Sequence, residues 1–112
     1  MKIAISVVAP DKNAKLDLRF GRAAAFAIVD TDTKAYDVMT NPAKNASGGA
    51  GLQVSELMSE KGAEAAISGA FGPKAASVLS AANIKMYTAK SGTVDELVAK
   101  LLAGDLDEAV EA

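Results

Sequence analysis

Five short apolar runs, separated by segments with helical periodicity, restrict the fold of this chain more than any other feature of its sequence. The runs span residues 2–8, 24–30, 35–40, 65–68 and 84–88, and their composition predicts strands. The residues between the second and third runs, Thr31-Asp32-Thr33-Lys34, have the composition of a tight hairpin turn. We therefore expect the second strand to lie antiparallel to the first, and the third to return parallel to it.

Three segments with an apolar stripe at helical spacing predict helices. The first ends where Gly62 can adopt the left-handed conformation of a C-terminal cap. The second starts with Pro73 in the first helical position and stops near Asn83. The third follows a Thr93-Val94-Asp95-Glu96 capping box and ends before Gly104.

The alternation of strands and helices predicts a single α/β domain over residues 1–112, because strand–helix–strand units cross over in the right-handed sense. We expect a five-stranded mixed sheet of order 3-2-1-4-5, with strand two antiparallel and helices on both faces. Lys85 in the fifth run suits a sheet edge. The acidic residues 105–112 are expected to form a loosely attached helical turn. A ligand crevice is expected outside the carboxyl ends of the strands, between strands one and four, where the strand order reverses.

The composition excludes several classes of function. The chain has no cysteine and no histidine, so neither thiolate nor imidazole can hold a ligand. A net charge of −2 argues against a general binder of nucleic acid or anionic membranes. The first residues lack the pattern of a signal peptide, and no apolar run approaches the ~18 residues of a membrane span. We therefore expect a cytoplasmic monomer that binds neither nucleic acid nor membrane.

Three glycine-containing loops fall at the expected crevice. Residues 20–22 lie between strands one and two, residues 47–51 open the first helix with Ser47 as candidate N-cap, and residues 68–73 open the second helix. Backbone N–H groups and helix N-termini in such loops form a cradle for an anion. The candidate binding residues are Arg19, Phe20, Gly21, Arg22, Ser47, Gly48, Gly49, Ala50, Gly51, Gly69, Ala70, Phe71 and Gly72.

Arg19 and Arg22 are candidates to supply positive charge to this cradle, since a guanidinium is always charged and donates several hydrogen bonds. The alternative is a pair of solvated charges, paired with Asp17 or Asp11.

Phe20 and Phe71 are candidates to shield a ligand from water, because ligand pockets are mostly apolar with a few placed polar groups. The alternative for Phe71 is packing onto a helix. The alternative for residues 47–51 is a flexible connection that serves only to start a helix.

No catalytic constellation is evident, because nucleophile–base pairs that use cysteine or histidine are absent. We therefore expect a protein that is not an enzyme. Two other functions stay open. The first is a phosphoester hydrolase in which aspartates bind a divalent metal, and the second is a module that binds a nucleotide or phosphate. The aspartates in question are Asp11, Asp17, Asp30, Asp32 and Asp37.

Several features of the sequence together point to a known family. They are the opening strand, the segment Asp17–Ala23, the hairpin leading to Asn41, the run Gly48–Gly51, the strand ending Ser68-Gly69, and the final helix after Thr93. This combination resembles the dinitrogenase iron-molybdenum cofactor biosynthesis family, and the resemblance covers nearly the whole chain. It implies a five-stranded mixed sheet with a ribonuclease-H-like motif, and a small carrier of iron-sulfur or molybdenum-containing clusters.

Members of that family that deliver nitrogenase cofactor often use histidine or cysteine near the site, and this chain has neither. The chain is more similar to a non-enzymatic member from sulfate-reducing bacteria, which holds a mixed molybdenum-copper sulfide cluster without covalent protein ligands. The resemblance therefore implies a molybdenum-copper sulfide cluster, or otherwise an iron-molybdenum-type cluster, held by electrostatics and packing with no direct protein ligand to the metal. It also implies ATPase partners similar to cell-division positioning proteins.

Overall fold

A mixed β-sheet with helices on both faces forms the centre of the protein. The computed structural model describes residues 1–109. In chain order its elements are β1 (Lys2–Val7), β2 (Ala25–Asp30), β3 (Tyr36–Thr40), α1 (Ala50–Glu60), β4 (Ala65–Ser68), α2 (Pro73–Ala81), β5 (Lys85–Thr88), α3 (Val94–Ala103) and β6 (Asp107–Glu108).

The strands stand in the order β3-β2-β1-β4-β5-β6. Strand β2 is antiparallel to both β1 and β3, whereas β4 is parallel to β1 and to β5. The predicted order of the first five strands, with strand two antiparallel, is thus confirmed. The carboxyl ends of β1, β3, β4 and β5 consequently lie along one side of the sheet, called the carboxyl edge below.

The sheet has a sixth strand, so the prediction of five strands is wrong. Asp107 and Glu108, expected in a helical turn, instead form β6 and pair antiparallel with Thr88 and Tyr87. The outer side of β5 would otherwise present unpaired N–H and C=O groups, and the chain returning from α3 supplies partners for them. Strand β5 is therefore an edge strand only at its start, where Lys85 is exposed. Residues 110–112 of the expected turn lie outside the described residues.

Helices α2 and α3 begin, and α1 and α3 end, at the predicted signals. Pro73 occupies the first turn of α2. The Thr93 side chain accepts a hydrogen bond from the Glu96 backbone, and the Glu96 carboxylate accepts one from the Thr93 N–H at 2.9 Å, which completes the capping box of α3. Gly62 and Gly104 follow α1 and α3 with left-handed φ angles of 81° and 78°. No helix within residues 1–109 is long and apolar enough to cross a membrane.

The two faces of the sheet bury separate cores. Ile3, Ile5 and Val7 of β1 contribute to the core beneath α3, which also contains Leu97. Ala4 belongs to the other core, which lies beneath α1 and α2. Strand β1 is thus buried on both faces, with exposed fractions of 0% from Ile3 to Val7. The loops that leave β1 and its neighbour β4 therefore start from strands that are buried on both faces.

Because apolar side chains of the chain itself fill both cores, the chain should fold without a metal or ligand. Thermal unfolding followed by circular dichroism should be a single cooperative transition, and EDTA should leave its midpoint unchanged. Loss of the transition in the presence of the chelator would contradict this prediction.

Candidate anion-binding groove

An open groove with a volume of about 440 Å³ lies at the carboxyl edge of the sheet. Its walls come from residues 18–22, from the N-terminus of α1 and from residues 70–75. Three segments that are distant in the sequence therefore meet where the crevice is expected. We call this site the groove.

The groove is lined by all the sequence-predicted site residues except Ser47, Gly48 and Gly69. Ser47 and Gly48 are exposed outside it. Gly69 instead lines a neighbouring cavity of about 620 Å³. Sequence reasoning missed four other residues that line the groove, namely Leu18, Pro73, Lys74 and Ala75.

Ser47 does not cap α1, so that prediction is wrong. The N-cap is Gly49, which has a left-handed φ of 71° and offers no side chain to the first helical turn. The serine lies too far before the helix because residues 41–46 form turns of their own, in which Lys44 and Ala46 donate to the carbonyl oxygens of Asn41 and Ala43.

Two of the loop glycines are required by close packing between loops. A Cβ atom on Gly21 would lie 2.8 Å from the backbone nitrogen of Gly51, at the start of α1. A Cβ atom on Gly69 would lie 2.7 Å from the Cα and carbonyl oxygen of Leu18. These positions hold the walls of the groove against each other. Gly48, by contrast, has no atom within 4 Å of its Cβ position.

Asp17 organises the loop that follows β1. Asp17 is only 6% exposed, and its carboxylate accepts hydrogen bonds from the backbone N–H groups of Arg19 at 3.0 Å and Ala24 at 3.1 Å. Burial alone would raise the pKa of this carboxyl group. The hydrogen bonds from the Arg19 backbone and side chain and from the Ala24 backbone outweigh burial, so the pKa lies below its usual value of 3.8.

Two buried serines support the Asp17 loop from below. The Ser6 hydroxyl at the end of β1 donates to the Asp17 carbonyl oxygen at 2.7 Å, and it lies 2.8 Å from the Ser68 hydroxyl at the end of β4. The Ser68 hydroxyl can also donate to the Ala70 carbonyl oxygen, which lies 3.3 Å away. The pair joins the two central strands to the loop at the point where the strand order reverses.

Asn41 fixes the other side of the same loop. Its amide nitrogen donates to the carbonyl oxygens of Gly21 at 2.9 Å and Ala23 at 3.0 Å, and its amide oxygen accepts from the backbone of Ala43 at 2.8 Å. The side chain is 3% exposed. It therefore ties the segment after β3 to the loop that carries the arginines.

The two arginines differ in their contacts. The Arg19 side chain bonds the Asp17 carboxylate through Nε at 3.3 Å and Nη2 at 3.4 Å, yet it stays 67% exposed. Arg22 donates from Nη1 to the backbone carbonyl oxygens of Lys44 and Ala46. The alternative pairing of Arg19 with Asp17 is therefore present, while most of the Arg19 side chain stays exposed and lines the groove.

Phe20 and Phe71 form the apolar part of the groove. Phe20 is 1% exposed and packs edge-on against Phe26, with ring centroids 5.5 Å apart. Its ring is 5.0 Å from that of Phe71, which is partly buried against the same core. Phe71 therefore both packs onto the core and forms a wall of the groove, with Phe20 supporting it from beneath.

Helices α1 and α2 begin at the groove without the side chains that usually satisfy helix N-termini. Neither has a side-chain cap or an acidic residue in its first turn, whereas α3, on the opposite face, has both. Free first-turn N–H groups and the helix dipole favour a negative charge. The described lining residues include Arg19, Arg22 and Lys74 and no carboxylate. The groove is therefore suited to an anion.

The aspartates do not assemble a metal site. Within residues 1–109 no group of three histidine, cysteine, aspartate or glutamate side chains could hold a metal ion. Asp17 is engaged by Arg19, and Asp30 accepts bonds within the β2–β3 turn at the opposite end of the sheet. The described structure therefore gives the hydrolase hypothesis no set of ligands.

The chain is similar to known proteins over nearly its whole length. A sequence model described as dinitrogenase iron-molybdenum cofactor matches residues 1–104. The apo form of the orange protein from Desulfovibrio gigas matches the structure with a TM-score of 0.92 and 36% identity, covering 98% of this chain and 93% of that one. A NifB-like protein from Thermotoga matches with a TM-score of 0.84 and 34% identity, covering 96% and 91%. An uncharacterized protein of Methanocaldococcus jannaschii is 33% identical over 111 residues, which cover 96% of this chain and 91% of that protein.

Replacing Gly69 with alanine should destabilise the protein by about 1–3 kcal/mol, because the new methyl group must displace the backbone of Leu18. Gly48→Ala is the matched control, since its Cβ meets open space and should change the free energy of unfolding by less than about 1 kcal/mol. Urea unfolding of the two variants measures the difference. Equal stabilities would mean that the two loops are not packed as described.

Replacing Asp17 with asparagine should destabilise the protein by about 1–3 kcal/mol at neutral pH, because a buried set of donors loses its charged acceptor. The folded-state pKa is lowered, so this contribution is fully present above pH 3.8 and is lost as pH falls through the folded-state pKa. Unfolding free energies of the two proteins should therefore converge toward acid. A gap that stays constant from neutral pH down to about pH 2 would contradict the role of the charge.

Proposed function

Because the chain belongs to the dinitrogenase iron-molybdenum cofactor family, we propose that it binds and carries an anionic metal-sulfide cluster in the groove. The family resemblance read from the sequence is confirmed. The observation that carries the proposal is the combination of three cations, two uncapped helix N-termini and no lining carboxylate. A compact anion in the groove would balance the positive potential that these groups create there.

The cluster we propose is of the molybdenum-copper sulfide type, with an iron-molybdenum-type cluster as the alternative. The similarity to the orange protein, at 36% identity, supports this choice, because it agrees with the cluster-holding member of the family that the sequence resembles. A chain without cysteine or histidine offers a metal neither thiolate nor imidazole. The cluster therefore keeps its own sulfide ligands, and the protein contacts their outer surface.

Both kinds of groove wall suit such a cargo. Sulfide at the surface of a cluster carries spread negative charge, which backbone N–H groups and guanidinium groups can stabilise. Phe71 and Leu18 supply the apolar contact that a poorly hydrated inorganic surface favours. A volume of about 440 Å³ accommodates a ligand of small-molecule size.

Non-covalent retention is the property that suits a carrier. The cluster can leave the groove without breaking a bond between protein and metal, so no chemical step by this chain is needed to load or release it. We propose accordingly a non-enzymatic role for a cytoplasmic monomer, with ATPase partners of the kind that the family resemblance implies.

A module that binds a nucleotide or phosphate is the second candidate, because uncapped helix N-termini also bind phosphate. The groove lacks the Gly-Lys-Ser/Thr sequence that completes a P-loop. Comparing the binding of nucleotides with the binding of thiometallates therefore distinguishes the two candidate functions.

The empty protein mixed with tetrathiomolybdate and a copper salt should retain a coloured species through gel filtration. Retention should fall as salt approaches 1 M, because the Debye length shortens from ~10 Å at 0.1 M to ~3 Å. The double variant Arg19→Ala/Arg22→Ala should retain less at low salt. Lys2→Ala/Lys85→Ala removes the same charge at the far end of the sheet and should behave like wild type.

Failure of the wild-type protein to retain colour would contradict the proposal. A rise in melting temperature with ATP or inorganic phosphate, without one from tetrathiomolybdate, would identify the phosphate-binding module instead.

A further inference from the structure

The three cations that line the groove make different contacts with the protein, and these contacts indicate different roles in binding. Resting on the proposed function, we infer that Arg19 and Lys74 are the cations that meet the bound anion. Arg22 instead positions the segment that leads into α1. Sequence reasoning treated the two arginines as equivalent and missed the lysine.

Arg22 is already committed to the protein backbone. Its Nη1 donates to the carbonyl oxygens of Lys44, at 3.3 Å, and Ala46. Residues 44–46 precede Ser47 and the two exposed glycines that lead into α1. The guanidinium therefore fixes the approach to the first-turn N–H groups of that helix, which are among the proposed donors to the anion.

Asp17 holds the Arg19 side chain in one orientation but does not occupy all of its hydrogen-bond donors. Asp17 accepts from its Nε and Nη2, and within residues 1–109 its Nη1 has no acceptor. Arg19 lines the groove and is 67% exposed. The buried carboxylate thus holds one edge of the guanidinium and leaves the other end available for a ligand.

Lys74 lies at a position where its positive charge destabilises the ligand-free protein. It follows Pro73 in the first turn of α2, where the positive end of the helix dipole repels a cation. No hydrogen bond or ion pair compensates it within the described part of the chain, and its side chain is exposed in the groove that also contains Arg19. A bound anion would turn this repulsion into attraction, because helix N–H groups and ammonium would then act on the same charge.

The test compares Lys74→Gln, Arg22→Gln and the control Lys85→Gln, which removes a charge at the far end of β5. Each variant is measured without ligand by thermal unfolding and by backbone hydrogen exchange. Each is then measured for retention of tetrathiomolybdate with copper, at 0.1 M and 1 M salt, through the visible absorption of the bound species.

Lys74→Gln should unfold at the same temperature as wild type or higher, yet retain several-fold less of the coloured species and depend less on salt. Arg22→Gln should speed exchange of the amides of residues 47–52 in the empty protein. It should also lower retention while keeping the wild-type response to salt. The Lys85→Gln variant should match wild type in retention and in hydrogen exchange.

Retention by Lys74→Gln equal to that of Lys85→Gln would overturn the role of the lysine. Unchanged exchange in Arg22→Gln, together with a weakened salt response, would show that Arg22 meets the anion directly and would overturn its positioning role. Absence of a retained species in the wild-type protein would instead remove the proposed function, and the assignment of ligand-contacting cations with it.

Discussion

The buried carboxylate of Asp17 is the interaction on which the groove depends. It lies at the end of the central strand β1, beneath a loop that must reverse direction and still present an arginine. Four donors converge on it, two from the backbone and two from one guanidinium. A negative charge buried next to an anion site would oppose binding if it were free. Here four hydrogen bonds and the Arg19 guanidinium offset the charge of the Asp17 carboxylate. The carboxylate in turn holds Arg19 in the orientation that the site needs.

The sheet separates two kinds of helix. Helix α3 is capped at its N-terminus by Thr93 and Glu96 and covers a core on one face. Helices α1 and α2 cover the other core but leave their N-termini unsatisfied at the groove. Capping typically contributes about 1 kcal/mol per helix. The protein forgoes this stabilisation only where the helix ends meet the groove, which is the pattern expected where local stability gives way to function.

Much of this arrangement could be predicted from the sequence, because strand order, the hairpin and the cap of α3 depend on local patterns and on chirality. The glycine loops could also be brought to one edge by topology alone. The structural role of each glycine could not be predicted from the sequence. Gly21 and Gly69 are small because backbones distant in the sequence approach there, and a single sequence carries no sign of such an approach. Strand β6 was missed for a similar reason, since two acidic residues show no strand pattern and pair only because an edge was open.

The close approach of glycine backbones has a consequence for recognition of the loaded state. Loops that touch through Gly21 and Gly69 have little room to move, so the groove is already shaped before anything enters it. Loading would then leave the backbone almost unchanged, and another protein would find no altered fold to detect. Such a partner would have to recognise the cargo itself, through the open side of the groove, by its charge and its exposed inorganic surface.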